Sequence, residues 1–163
     1  MPPDQGRPSV IVMIELDHRA GYAYPAPVVF QAVADVAEYP AWQPDVSAAR
    51  VYGGGSPCLG AQVAQVRNML GRSTYLDFTV HAYEPGRVLE LRTVAAARSQ
   101  FAQAFRVEQG LVAGCCHLTV TVRLDGVPAL AEELSRAVLT YQLIQALDCL
   151  RMHLSGRPAA VPR

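Results

Sequence analysis

Six stretches of alternating apolar and polar residues, each closed by a short connector, constrain what this chain can become. They fall at 46–52, 61–68, 74–83, 88–94, 100–108 and 115–124, and the separators read GGGSPCLG, MLGRS, EPGR, AAAR and EQGLVAG. Alternation at period two marks a strand with one buried face. Connectors this short close antiparallel hairpins and leave no room for helical crossovers. Leu76, Phe78 and Val80 alternate with Asp77, Thr79 and His81, and Leu118, Val120 and Val122 alternate with Thr119, Thr121 and Arg123. One apolar and one polar face predict an antiparallel sheet that is wet on one side only.

The flanks supply the remaining elements. Residues 10–24 alternate as well, with Ile14, Leu16, Ala20 and Tyr22 against Glu15, Asp17 and Arg19, which predicts a first strand. Pro27 suits the first turn of a short helix at 28–37, on which Val29, Phe30 and Val33 share a face. Pro40 ends that regularity, because the residue before a proline is pushed out of helical conformation. From Pro128 onward Leu130, Leu134, Val138, Tyr141, Ile144, Leu147, Leu150 and Leu154 recur every three or four residues. This spacing predicts one amphipathic helix of about seven turns. A sheet with one apolar face needs a cover, and that helix can supply it, which makes the class α+β. A single domain is expected at 10–155, between flexible tails at 1–9 and 156–163, with Met13 a second candidate initiator.

Composition excludes several functions. The 163 residues suit one domain with a sizeable core, and formal net charge is zero with no basic block, so a nucleic-acid surface is not expected. All fourteen basic residues are arginine, as in a GC-rich bacterial gene. The absence of lysine rules out Schiff-base and phosphate-loop lysines. Cys58, Cys115, Cys116 and Cys149 form no CxxC pair and read as small buried apolar residues in a reducing cytoplasm. Without an export signal or a long apolar run, a cytoplasmic chain with no integral membrane segment is expected. His18, His81, His117 and His153 show no metal-ligand spacing, the GGG at 53–55 precedes no helix, and no serine has a nucleophile-elbow context. No metal and no cofactor are expected.

The segment YPAPVVFQAVADVAEYPAWQPDV carries a recognisable pattern: PxxxVF, an aspartate, then YPxWxPxV, formed by Pro25, Val29, Phe30, Asp35, Tyr39, Pro40, Trp42, Pro44 and Val46. Placed after one strand and before six strands and a long helix, it resembles the polyketide cyclase/dehydrase-like proteins of the START and birch-pollen-allergen-like (SRPBCC) superfamily. EPGRVLELR, GCCHLTVTV and ALDCLRMHL are weaker echoes. The resemblance implies a helix-grip fold: a curved antiparallel seven-stranded sheet wrapped around the C-terminal helix, with two short helices between the first two strands. It also implies a cavity between sheet and helix that holds an apolar or aromatic ligand. Trp42, between Pro40 and Pro44, then reads as a rigid plug. Either its indole N–H meets a backbone carbonyl in the core, or the ring also lines the ligand mouth. Asp35 reads as a local turn acceptor.

Strand parity proposes the cavity wall: Leu76, Phe78 and Val80; Leu89 and Leu91; Phe101, Gln103 and Phe105; Leu118, Val120 and Val122; with Val138, Tyr141 and Ile144 from the helix. The alternative is that these side chains simply fill the core. His18, Gln103 and Tyr141 are the polar residues at inward positions, able to hold a carbonyl or hydroxyl. Arg67 and Asn68 are neighbours, so one points inward in either register, and an inward arginine can polarise a carbonyl or bind a carboxylate. The expected function is binding or carriage of a hydrophobic small molecule such as a lipid, isoprenoid or polyketide. The alternative is a cofactor-independent aromatase/cyclase that folds a poly-β-ketone chain in the same cavity. A third reading is action through a protein partner. Both a monomer and a homodimer are compatible with the sequence.

Overall fold

The structure is a computed structural model that describes residues 9–95, 97 and 100–156. Apart from Ser9 and Gly156, the two expected tails lie outside them. Strand β1 (Ile11–Tyr22) leads into helix α1 (Ala26–Ala34), a 3₁₀ turn at Val36–Glu38 and the single-turn α2 (Tyr39–Trp42). Six strands follow: β2 (Val46–Val51), β3 (Gln62–Met69), β4 (Arg72–Glu84), β5 (Val88–Thr93), β6 (Phe101–Gln109) and β7 (Cys116–Pro128). A 3₁₀ turn at Ala129–Ala131 then opens α3 (Glu132–Ser155).

All seven strands form one sheet in the order β1-β7-β6-β5-β4-β3-β2, with every pair antiparallel. Register shifts at Val12/Ile14, Val46/Ala48 and Val80/Ala82 bend the strands, since an extra residue on one side of a ladder increases local twist. The curved sheet closes around α3, the helix-grip arrangement.

Local chemistry explains the elements. Pro27 sits in the first turn of α1, where its missing N–H is no loss, and the carbonyl of Pro25 accepts from the N–H groups of Val28 and Val29. The helix buries Val29, Phe30, Ala32 and Val33. On β4 and β7 burial alternates residue by residue, with Leu76, Phe78 and Val80, then Leu118, Val120 and Val122, inside. Tyr39 stacks edge-on against Trp42 at 5.4 Å, and Trp42 against Phe105 at 6.0 Å. The Tyr39 hydroxyl donates to the Val33 carbonyl, and the Tyr22 hydroxyl donates to the Leu147 carbonyl, tying the end of β1 to α3.

The apolar face of α3 differs from the expected one along its first half. Ser135, Leu139, Leu143, Ala146, Leu147, Leu150 and Leu154 are buried, whereas Leu134 and Tyr141 are exposed, Ile144 is 39% exposed and Val138 only half-buried. The two stripes share Leu147, Leu150 and Leu154. Upstream of Leu147 the expected stripe moves in steps of three, and at 3.6 residues per turn each such step drifts by about 60°. Three steps carry it from Leu147 to Val138 on the far side of the helix. The docked face moves in steps of four and stays on the sheet.

Leu150→Ala, at a fully buried position, is expected to lower stability by about 2–5 kcal/mol. Tyr141→Ala should stay within about 0.5 kcal/mol of the parent in the same urea titration. Burial raises the hydroxyl pKa of both Tyr22 and Tyr39 above the ordinary value of 10.0. The folded chain therefore keeps these protons while the unfolded chain gives them up, so stability present below about pH 10 should fall as pH rises further. Tyr39→Phe should flatten that decline.

Candidate functional site

Two prolines and one strand build the polar centre of the molecule. Pro40 starts α2, and Pro44 stops it by holding Gln43 in an extended conformation (φ −103°, ψ 99°). The Gln43 N–H still bonds the Tyr39 carbonyl at 2.7 Å. Asp45 lies just before β2, where its carbonyl accepts from the Asn68 N–H at 2.7 Å and the next residue, Val46, pairs with Arg67. Gln43 and Asp45 are thus delivered to the end of β3. On β3 the residues of one parity, Val63, Gln65 and Arg67, are buried, and Asn68 is exposed. The inward member of the Arg67–Asn68 pair is the arginine.

Arg67 is 3% exposed, and four of its five N–H groups meet side-chain oxygens. Nε donates to Gln65 Oε1 at 2.7 Å, Nη1 to Asp45 Oδ2 at 2.7 Å, and Nη2 to both Gln103 Oε1 at 2.7 Å and Gln43 Oε1 at 2.9 Å. Gln103 Nε2 also donates to Gln43 Oε1 at 3.2 Å. The guanidinium carbon stands 5.2 Å from the centre of the Phe101 ring. Gln103 is on β6, separated from β3 by β4 and β5. In a flat sheet those strands would stand about 14 Å apart, so this hydrogen bond is a product of the sheet's curvature. Burial pushes the guanidinium pKa below its ordinary value, and the charge of Asp45 opposes the shift.

The cluster is rich in unused donors. Among the described residues Gln43 Nε2 and Gln65 Nε2 have no partner, nor has Trp42 Nε1, so the indole N–H meets no backbone carbonyl there, the first of its two expected settings. The fifth N–H of Arg67 is also left over. Buried donors without acceptors are costly, and two of the residues that carry them, Gln43 and Arg67, line a cavity of about 20 Å³ together with Asp45 and Gln103, against Leu139, Leu143 and Ala146 of α3. This is space for one water-sized group. Beside it lies an apolar pocket of about 270 Å³, bordered by Leu70, Leu76, Leu124, Val127, Ala131 and Ser135. Met69 and Phe101 line both spaces. At the mouth of the pocket, Leu70 and Gly71 make the two-residue turn between β3 and β4, with φ of 52° and 82°. Glycine adopts this conformation freely, while leucine does so at a cost of about 1–2 kcal/mol.

The expected wall residues separate into three groups. Arg67, Phe101 and Gln103 line the internal cavity, as does Val122, and Leu76 lines the apolar pocket. Phe78, Val80, Leu91, Phe105, Leu118 and Val120 are packed into the core with Leu89 and Trp42, and they border none of the described pockets. Val138 and Tyr141 border a surface depression of about 410 Å³ between α3 and Pro44, Asp45 and Asn68, and Ile144 borders neither inner space. Between sheet and helix the room that remains is a small chamber with polar groups and an adjoining apolar pocket, because aromatic rings from β4 and β6 and leucines from α3 fill the remainder. His18 is half-buried and lines none of these spaces. Gln43, Gln65 and Asp45 were not anticipated from the sequence. Among the described residues no three His, Cys, Asp or Glu side chains are grouped to hold a metal, and no helix is long and apolar enough to cross a membrane.

Residues 13–153 match the family described as polyketide cyclase / dehydrase and lipid transport. Among solved structures, the chain is similar to the Zhui aromatase/cyclase from Streptomyces sp. R1128, with a TM-score of 0.75 at 19% identity over 93% of this chain and 100% of that one. A START superfamily protein from Mycobacterium smegmatis superposes with a TM-score of 0.69 at 15% identity, over 86% and 97% of the two chains. Truncated norcoclaurine synthase from Thalictrum flavum gives 0.65 at 10% identity, over 91% and 97%. At these identities the likeness is one of fold. No curated protein matches the chain.

Asp45→Ala removes the charge partner of a buried cation and should destabilise the protein by about 3–5 kcal/mol in urea titration. Asp45→Asn keeps an acceptor oxygen for Nη1 and should lose less.

Proposed function

The chain belongs to the polyketide cyclase / dehydrase and lipid transport family, and from that premise we propose that it binds and carries an apolar small molecule bearing an oxygen function. The apolar body occupies the pocket beside Leu76, Leu124 and Val127, and the oxygen reaches the chamber at Arg67. One observation carries this reading: an apolar pocket of about 270 Å³ shares two side-chain walls with a buried cluster that has donors to spare. Ligand sites of this kind are mostly hydrophobic, with a few convergent polar groups that set orientation. Met69 is the movable part of the partition, since an unbranched thioether changes rotamer easily.

The second reading is an aromatase/cyclase acting on a poly-β-ketone chain. A guanidinium fixed by four hydrogen bonds, with one N–H free, suits the oxygen of a developing enolate. The fold likeness to an aromatase/cyclase favours it further. Carriage is preferred because a cyclase must also move protons. Among the described residues lining the two spaces there is no histidine or tyrosine, the carboxylate of Asp45 is already engaged by Arg67, and the other carboxylate, the exposed Asp125, borders the apolar pocket but not the chamber that holds Arg67.

Native mass spectrometry of the purified protein, followed by solvent extraction, should release an oxygen-bearing apolar compound, and Nile red should bind with increased fluorescence. Met69→Trp should fold normally and abolish both. An extract empty of any such compound, together with no Nile red binding, would refute the carrier. Turnover of a tethered polyketide surrogate, lost in Arg67→Ala, would replace it with the cyclase.

A further inference from the structure

Asp45 does more to the polar chamber than hold one edge of Arg67. Its carboxylate lies 2.7 Å from Nη1, with the two side chains 4% and 10% exposed, so the only cation lining the chamber among the described residues already has its counter-charge in place. The other acceptors on Arg67 are the neutral amide oxygens of Gln43, Gln65 and Gln103. What remains unfilled is a need for hydrogen-bond acceptance without charge: the fifth guanidinium N–H, and the Gln43 Nε2 amide, which is 1% exposed and belongs to a residue lining the chamber. The adjoining pocket contributes one further ionisable side chain, Asp125, and it too is acidic.

We infer that Asp45 determines the charge class of the ligand: the chamber accepts a neutral oxygen, from a ketone, aldehyde or alcohol, and rejects a carboxylate. The inference rests on the apolar-ligand reading above and makes its substrate class specific. A carboxylate seated on the free N–H would bring a second negative charge beside that of Asp45, whose side chain is only 10% exposed. A ketone oxygen meets the same N–H and the Gln43 amide with no such repulsion and gives up less hydration on entering. A lone buried arginine would favour the carboxylate, and the aspartate beside it reverses that preference.

The test compares two probes of matched shape, 2-undecanone and decanoate, as competitors of Nile red on the full chain at neutral pH. The wild type should bind the ketone at least roughly tenfold more tightly than the carboxylate, a margin that one uncompensated charge contact readily supplies. In Asp45→Asn the ratio should move toward decanoate by at least roughly tenfold, because a charge is removed while an acceptor stays on Nη1. Decanoate binding the wild type as tightly as the ketone overturns the inference, and so does a ratio unchanged in Asp45→Asn. If the variant does not fold, the order of the two probes on the wild type decides alone. If neither probe displaces Nile red, the apolar-ligand reading itself falls and takes this one with it. Displacement by both with the wrong order removes only the charge assignment.

Discussion

A guanidinium with almost no access to water must find oxygen for its hydrogens, and at Arg67 that demand reaches four parts of the chain. Gln65 comes from the same strand, Gln103 from a strand three places away in the sheet, Gln43 from the end of a single-turn helix and Asp45 from the approach to β2. Each partner is held by its own constraint: strand parity, curvature, a proline that forbids helix, and a backbone bond to Asn68. Buried ion pairs of this kind rarely add net stability, since desolvation consumes most of the attraction. Arg67 is better understood as a geometric constraint. It defines where the helical segment returns to the sheet and how tightly β3 and β6 approach.

That arrangement places polarity at one end of an otherwise oily interior. Aromatic rings and α3 leucines fill most of the space between sheet and helix, so the room left for a guest lies toward the β3–β4 turn and the start of α3. The two proposed readings, carriage and cyclisation, draw on the same geometry and differ in whether anything moves protons.

Much of the fold was legible in the sequence because a sheet announces itself by parity. The inward residues of β4, β6 and β7 followed from alternation alone, and glycine and proline marked the turns. The face of α3 was harder, because two apolar stripes coincide over its last two turns and diverge upstream. Choosing between them required knowing that steps of three rotate off the sheet. Within the site, Gln103 was visible as a polar residue at an inward position, while the sequence left open whether Arg67 or its neighbour Asn68 points inward. Gln65 shares the parity of Val63 and Arg67 and was open to the same reasoning. Gln43 and Asp45 were not, since beside Pro44 they look like ordinary turn residues. What brings them to Arg67 is the register between β2 and β3, which no local pattern in WQPDV encodes.

The β3–β4 turn shows what such a molecule gives up for its pocket. Asparagine or glycine would relax the backbone at Leu70, yet the chain keeps a leucine there in a left-handed conformation, 44% exposed and bordering the apolar space. Selection for thermal robustness alone would rewrite that dipeptide as Asn-Gly. The resulting protein would gain a calmer hairpin and lose an oily lip, so heat tolerance and the apolar border of the pocket are set against each other at a single side chain.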